Sequence, residues 1–395
     1  MSRICLITHV VAPWDGQGRV NYELARHLVA EGHEVTLVAS TVAAPIARHQ
    51  RVRWIHIPVP SVGPEPVKWL LFAAQVWLRL GQRQLAYFDI VHVHGAIAPI
   101  QADVNTSHFV HGGMQKDGPR PVNLWQRLVT AVCAWTERRA YRNARRVVAV
   151  SDGVAASLRD TGVGGRGRLR VIYNGVDPEE FRPRTQDDPR PLREGLDLPA
   201  SSFLVLFVGD AVSPRKNLDL ALVTLARLDP RFRLVVIGEH RGGRYRGMAD
   251  RLGVGERTSF LGPRRDVAEC LRDADALLCV SHYEPASLVL LEGMASGIPV
   301  ICTPALGNAR FVDHGVNGFQ LRSAEDHERL AWLLETLERD PALGRRIGEA
   351  ARATAAQLTW TRMARQYAAL YRELLAELAR TRFSDFALSS AGGTA

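Results

Sequence analysis

Residues 209–217 read Gly-Asp-Ala-Val-Ser-Pro-Arg-Lys-Asn, between an apolar run at 203–208 and a helical pattern at 217–227. Gly209 permits close backbone approach at a strand end, and Arg215 and Lys216 sit where a helix N-terminus already favours an anion. A diphosphate suits such a loop; on this segment alone, an ordinary turn with surface cations is the alternative. Lys216 stands out because only Lys68, Lys116 and Lys216 are lysines among 50 basic residues. A second cluster reads Glu284-Pro-Ala-Ser-Leu-Val-Leu-Leu-Glu292. Ser287 is a candidate N-cap, with first-turn amides beyond it free to meet a phosphate. The two glutamates would lie about 12 Å apart if the segment were all helical, too far to share one reacting atom but suited to two ends of a long ligand; for the motif taken alone, a loop carboxylate and a locally paired helix residue is the favoured alternative. His92 and His94 share one face of a strand, with His108 and His111 following. Four imidazoles suggest a metal, but no carboxylate or thiolate stands at ligand spacing, which favours strand-end histidines beside a polar cleft.

These residues need strands to carry them. Strand-like runs at 3–8, 34–39, 53–59, 89–94, 104–108, 146–151 and 170–173 alternate with helical patterns at 19–30, 65–86, 122–143 and 153–161. Residues 177–199 hold five prolines and little periodicity, which reads as a linker. Alternation then restarts, with strands at 203–208, 233–238, 259–262, 276–280, 299–303 and 319–321. Helices are predicted at 217–227, 244–252, 266–271, 287–296, 325–338, 342–355 and 361–379. The pattern predicts an α/β protein of two Rossmann-like, doubly wound domains facing across a cleft, with ligands beyond the carboxyl ends of the strands. The expected divisions are an N-terminal domain over 1–183, a linker over 184–200, a second domain over 201–360, and a flexible tail over 381–395. A last helix at about 361–380 is expected to pack back on the first domain.

Composition agrees with a folded protein: 46% of the 395 residues are hydrophobic and 23% charged. Five cysteines without a Cys-x-x-Cys pair, each in an apolar stretch, read as buried thiols of a reducing cytoplasm. The apolar run at 4–10 is too short for a signal peptide. The longest apolar stretch, 67–80, carries Lys68 and Arg79 and falls short of the roughly 20 residues of a spanning helix. The net charge of +9 is lopsided, for residues 1–183 hold 22 basic and 14 acidic side chains. Residues 120–146 alone contain seven arginines and one acid, Glu137, around Leu124, Trp125, Leu128, Val132 and Trp135. Such a basic amphipathic helix, with Trp69 and Trp77 nearby in sequence, makes an anionic membrane surface a candidate partner. Nucleic acid is not expected, because no recognition module accompanies the charge. Gly16-Gln-Gly18 lacks the third glycine of a dinucleotide fingerprint, and no acidic residue ends the second strand, which argues against NAD.

In order and spacing, the motifs resemble family 4 retaining glycosyltransferases with the two-Rossmann B-type fold. The resemblance runs over about residues 3–375. Its carriers are Val-Val-Ile-Gly-Glu, Thr-Ser-Phe-Leu-Gly-Pro, Ala-Asp-Ala-Leu-Leu-Cys-Val-Ser, the Glu284–Glu292 segment, Gly-Ile-Pro-Val-Ile-Cys-Thr and Val-Asn-Gly-Phe. Asp89-Ile-Val-His-Val-His-Gly, Val147-Val-Ala-Val-Ser-Asp and Val171-Ile-Tyr-Asn-Gly-Val-Asp add to them. The resemblance implies transfer of a hexose from a UDP- or GDP-sugar to a hydroxyl of a glycan, glycolipid or cell-envelope precursor, with no metal or other cofactor. It further implies that Lys216 and Arg215 neutralise the donor diphosphate and that Glu284 meets sugar hydroxyls and Glu292 ribose hydroxyls. Ser287 and Leu288 would offer amides to phosphate, Gly16 and Gly18 close approach across the cleft, and His108 a group near the transferred sugar. Asn174 is placed at the acceptor side or cleft. The location implied is cytoplasmic or peripheral on the inner membrane face.

Two departures stand out. Asp210 occupies the position where the family usually has an arginine, and Ala286-Ser287 replaces the usual Phe-Gly. Asp273-Ala-Asp275 has the D-x-D form that binds manganese in other glycosyltransferases, but it precedes a strand rather than facing the cleft, which argues against a metal there. A nucleotide-sugar epimerase of the same fold and a non-catalytic nucleotide-sugar-binding relative are the alternatives.

Overall fold

The strands are nearly continuous apolar runs because both faces of each sheet are covered, the usual condition of parallel sheets. In the computed structural model seven parallel strands form the N-terminal sheet. Their spatial order is Val52–His56, Glu34–Ala39, Arg3–Ile7, Ile90–His94, Ala102–Ser107, Ala144–Ala149 and Leu169–Val171. Six parallel strands form the second sheet in the order Thr258–Gly262, Phe232–Ile237, Phe203–Val208, Ala276–Cys279, Val300–Cys302 and Phe319–Gln320. The structure describes residues 1–60, 65–98, 100–110, 124–163, 165, 167–240 and 243–391. His111, Lys116 and Arg120, singled out above, lie outside the described residues, as do the side chains of Leu124, Trp125 and Leu128.

Both sheets step outward from a first strand, return past it, and continue on the other side. Each therefore has a switch point between its first and fourth principal strands: Arg3–Ile7 and Ile90–His94 in one, Phe203–Val208 and Ala276–Cys279 in the other. Loops diverge there and leave a crevice for ligands.

The chain crosses between domains earlier than the proline-rich segment suggested. Val176 donates its amide to the Leu358 carbonyl at 2.8 Å and bridges Thr359, so the outward and return crossings lie side by side. Val176, Phe181 and Leu192 are buried in the second domain's core with Leu204, Leu277 and Met294. The segment read as a linker is thus packed on that domain and contains the helix Pro191–Gly195. The return crossing leads into the helix Trp360–Ala391, whose Met363, Tyr367, Tyr371 and Leu374 are buried against the N-terminal sheet with Ile4, Leu6 and Leu37. This helix runs well past 380, where a flexible tail was expected, because no glycine or proline interrupts it before Gly392. A two-residue pair, Val10–Val11 with Thr41–Val42, escaped the sequence reading because it is too short for periodicity.

Candidate active site

At the second sheet's switch point, the loop after Phe203–Val208 meets the loop after Ala276–Cys279. Gly209 has φ +152°, and a Cβ there would stand 3.2 Å from Lys216 Cε, so glycine lets the lysine fold back over the strand end. Pro214–Lys216 is a single 3-10 turn, and the following Asn217 is left-handed at φ 59°. Asn217 is buried and donates its side-chain amide to the Val280 carbonyl at 3.0 Å and the Ala324 carbonyl at 2.7 Å. Sequence reasoning gave Asn217 no role; its signal was an asparagine directly before a helix, one of the few non-glycine types at home in that conformation.

Lys216 Nζ donates to both oxygens of Glu284, at 2.8 and 2.6 Å. Ser281 Oγ adds a hydrogen bond to Glu284 at 2.9 Å, and Arg215, 4.0 Å away, donates instead to the Tyr283 carbonyl at 2.9 Å. Burial pushes the Glu284 carboxyl up, but the Lys216 charge and hydrogen bonds, with Arg215 and Ser281, outweigh it and hold the group below its ordinary range. The glutamate backbone is stitched to the next loop, its amide to the Ala305 carbonyl and its carbonyl to the Gly307 amide. The helix begins only at Leu288, so the two glutamates are not on one continuous helix.

Ser287 caps that helix, its hydroxyl accepting from the Leu290 amide at 3.3 Å. Its own amide is donated to Asn308 Oδ1 at 3.1 Å, which corrects the expectation of a free Ser287 N–H; Leu288 is the first residue of the helix itself. Glu292, one turn further, is pushed up to about 7 by burial, opposed by Arg19 and reinforced by Glu180.

Arg19 comes from the other domain, from the helix Gly16–Ala30. Gly16 and Gly18 were expected in a loop but form the first turn of this helix, because Asp15 caps it by accepting from the Gly18 amide at 2.6 Å. The two glycines differ. A Cβ at Gly18 would collide with Asp15 and Val10 under 3 Å, whereas one at Gly16 would meet nothing within 4 Å. Gly18 therefore serves local packing, and Gly16 leaves open space beside the helix end.

His108 lies 3.0 Å from His94 through Nε2 and Nδ1, and His92 contacts Tyr371 at 2.6 Å and Thr106 at 2.8 Å. Burial drives His92 and His108 down to about 3 and His94 well below its ordinary value, so this file of rings is neutral. Its nitrogens bond one another and the hydroxyls of Thr106 and Tyr371, the second from the C-terminal helix. Asn174 is buried beside the outward crossing, its Oδ1 without a hydrogen-bond partner among the described residues.

The domains meet tightly around the loop that follows Ala276–Cys279. Ser151 Oγ donates to the Pro285 carbonyl at 2.5 Å, Phe109 stacks edge-on against Tyr283 at 5.6 Å, and Arg310 pairs with Asp152 at 2.8 Å. A Cβ on Gly153 would stand 2.8 Å from Gly307 Cα, so two glycines permit this approach.

Asp273 and Asp275 have other work. Asp273 accepts the amides of Leu192 and Arg193 at 2.9 Å each, and Asp275 takes the Arg193 guanidinium at 2.6 Å and the Leu204 amide at 2.6 Å. They pin the helix Pro191–Gly195 to the second domain. Among the described residues, no three His, Cys, Asp or Glu side chains converge to hold a metal. All five cysteines are buried free thiols.

Comparison with known proteins places this geometry. The Glycosyltransferase Family 4 model matches residues 14–180 and the Glycosyl transferases group 1 model residues 190–354. A D-inositol 3-phosphate glycosyltransferase of Frankia alni is 30% identical over 394 residues, spanning 90% of this chain and 94% of that protein. Another from Xylanimonas cellulosilytica is 29% identical over 86% of this chain and 87% of its own. Among solved structures, sucrose-phosphate synthase from Thermosynechococcus elongatus superposes with a TM-score of 0.81 at 22% identity, covering 95% of this chain and 100% of that one. Anabaena Alr3699/HepE in complex with UDP-glucose gives 0.73 at 21% identity, over 96% and 100%. The chain belongs to the family 4, group 1 glycosyltransferases and is a glycosyltransferase of the two-Rossmann B-type fold.

Proposed function

We propose that this glycosyltransferase moves a hexose from a UDP- or GDP-sugar to a hydroxyl of a phosphorylated glycan, glycolipid or cell-envelope precursor, with retention and without a metal. The observation that carries the reading is the Lys216–Glu284 pair at the switch point of the second sheet. In the structure the two charges satisfy each other. A donor exchanges that pairing for a better one, its diphosphate taking Lys216 and its sugar hydroxyls taking Glu284. Glu292, next to Arg19, is suited to ribose hydroxyls at the other end.

As the bond from the anomeric carbon to the diphosphate oxygen breaks, Lys216 and Arg215 offset the charge growing on the leaving group. The acceptor oxygen bonds the same face of that carbon and its proton passes to a departing phosphate oxygen, which gives retention. Among the described residues Glu284 contacts Lys216, Ser281 and Arg215 but no second carboxylate, so a double displacement through a paired carboxylate is disfavoured. The metal-free reading rests on these cations and on the structural use of Asp273 and Asp275. A phosphorylated acceptor is supported by the relatives named for D-inositol 3-phosphate and by the basic first half of the chain.

The test is thermal shift with UDP, GDP, ADP and their sugar conjugates, with and without magnesium. Stabilisation by one nucleotide family regardless of magnesium, lost in Lys216→Ala, is the expected result. No shift with any of them, or a shift only with magnesium, overturns the donor site as described.

A further inference from the structure

Two helices of the N-terminal domain, Glu65–Arg79 and Leu124–Arg142, cover the same face of its sheet: Phe72 and Val76 of one and Tyr141 of the other are buried with Ile7 and Val147. Their opposite sides therefore look outward together. On the first helix, Leu70, Leu71, Ala74, Trp77 and Leu78 form one exposed stripe, with Leu70, Trp77 and Leu78 at 69, 61 and 72% exposure. A surface helix normally turns polar residues to solvent, so this stripe is inverted. On the second helix, Val132 and Trp135 are exposed at 60 and 62% among the exposed Arg127, Arg138, Arg139 and Arg142, while Glu137 is buried.

We propose that this outward face docks on an anionic phospholipid bilayer, Trp77, Leu78 and Trp135 seating at the headgroup boundary and the arginines meeting the lipid phosphates. Charge complementarity selects lipid over a second copy, since a two-fold pairing through this face would set the arginines of both copies against each other. No described helix is long and apolar enough to cross a membrane, so the contact is peripheral. The face would hold the enzyme where a lipid-linked acceptor is presented.

Flotation of the full chain with phosphatidylcholine vesicles, alone or mixed with phosphatidylglycerol, tests this without any donor or turnover. Several-fold more protein should float with the anionic vesicles, and high salt should abolish the difference. Trp77→Ser with Leu78→Ser, and Arg138→Ser with Arg139→Ser, should each lower flotation while circular dichroism stays that of the parent. Equal flotation on neutral and anionic vesicles overturns the proposal. So does concentration-dependent dimerisation that Leu78→Asp abolishes in a protein that ignores vesicles.

A different observation, a buried ring nitrogen, bears on His108. His94 Nε2 is buried without a hydrogen-bond partner among the described residues, while its Nδ1 meets His108 Nε2. If His108 donated in that contact, His94 would carry its proton on Nε2 as an orphaned buried N–H, a rarer and costlier state than a bare acceptor. We infer that His94 donates from Nδ1 and is a positioning residue that fixes His108 as an Nδ1–H donor, available to a sugar hydroxyl if the proposed donor site holds. Nitrogen-15 NMR of the imidazoles should show His108 protonated at Nδ1 and bare at Nε2; the reverse tautomer overturns the inference whether or not the donor site is right. His94→Leu should lower kcat about tenfold with KM kept, as when a partner orienting a histidine is removed. His94→Asn, which retains an N–H near the same place, should recover most of the loss. Parent kcat in His94→Leu sinks the positioning role.

Discussion

The two domains share one strand order yet build opposite electrostatics at their switch points. The second domain places Lys216, Arg215 and Glu284 there, charged and paired. The first places His94 at the strand end and His108 after the neighbouring strand, both kept neutral by burial. The difference shows what a shared scaffold leaves to its loops. The second domain's switch point is ionic and paired, whereas the first domain's works through uncharged hydrogen bonds. Part of the first domain's surplus of cations, Arg127, Arg138, Arg139 and Arg142, lies exposed on the helix Leu124–Arg142.

The largest effect should come from dismantling the ionic side. Lys216→Ala and Glu284→Ala should each lower kcat by about 100-fold or more, the scale of losing a group that stabilises developing charge. In the ligand-free protein each single change also strands a mostly buried charge, so a melting curve should show both singles less stable than Lys216→Met with Glu284→Gln. Activity near that of the parent in either alanine variant would break the contrast between the domains.

Next comes the carboxylate pair that only looks like a site. Asp273→Asn should cost on the order of 3 kcal/mol by denaturant unfolding, since Asp273 is buried against Arg193 and two amides. Added manganese should restore neither stability nor turnover.

The two glutamates of the donor loop should respond to pH in opposite senses. Glu292 is raised to about 7 in the folded protein, so its contribution to stability is present below pH 4.5 and is lost as pH rises through 7. Glu284 is lowered, so its contribution is present above its ordinary value and fades on acidification. With Glu292 on the ribose hydroxyls as proposed, its ionised form is the better acceptor, and donor KM should rise severalfold from pH 8 to 6. A pH-independent KM in Glu292→Gln confirms the assignment; an unchanged slope removes it.

The smallest effect is expected where the domains touch at the surface. Arg310→Ala breaks an exposed pair with Asp152 and should change stability by less than about 1 kcal/mol. Loosened closure should appear instead as a modest rise in KM with kcat kept.

Much was legible in the sequence. Apolar runs placed the strands within three residues, 34–39 and 203–208 without error, because continuous burial leaves an unmistakable run; the strand expected at 53–59 ends at His56. Lys216 and Glu284 stood out as candidates only together with the family motifs around them, because a strand-end cation or an isolated carboxylate is also an ordinary loop residue. Prolines suggested a linker at 184–200, but its Leu192 is core and its Arg193 is pinned by Asp273 and Asp275. Gly16 and Gly18 looked alike, though only the capping by Asp15 separates their roles.

Local pattern and residue chemistry by themselves determined the two Rossmann-like halves, the donor-side cations and the basic first half, since each depends on neighbours within a few positions. Only the tertiary structure decided that Lys216 and Glu284, 68 residues apart, share a bidentate contact. It also decided that Tyr371 reaches His92 across 279 residues and that Leu70 and Trp77 face outward. Which groups meet, and which side of a helix is covered, depend on how distant segments pack, and no local periodicity encodes that.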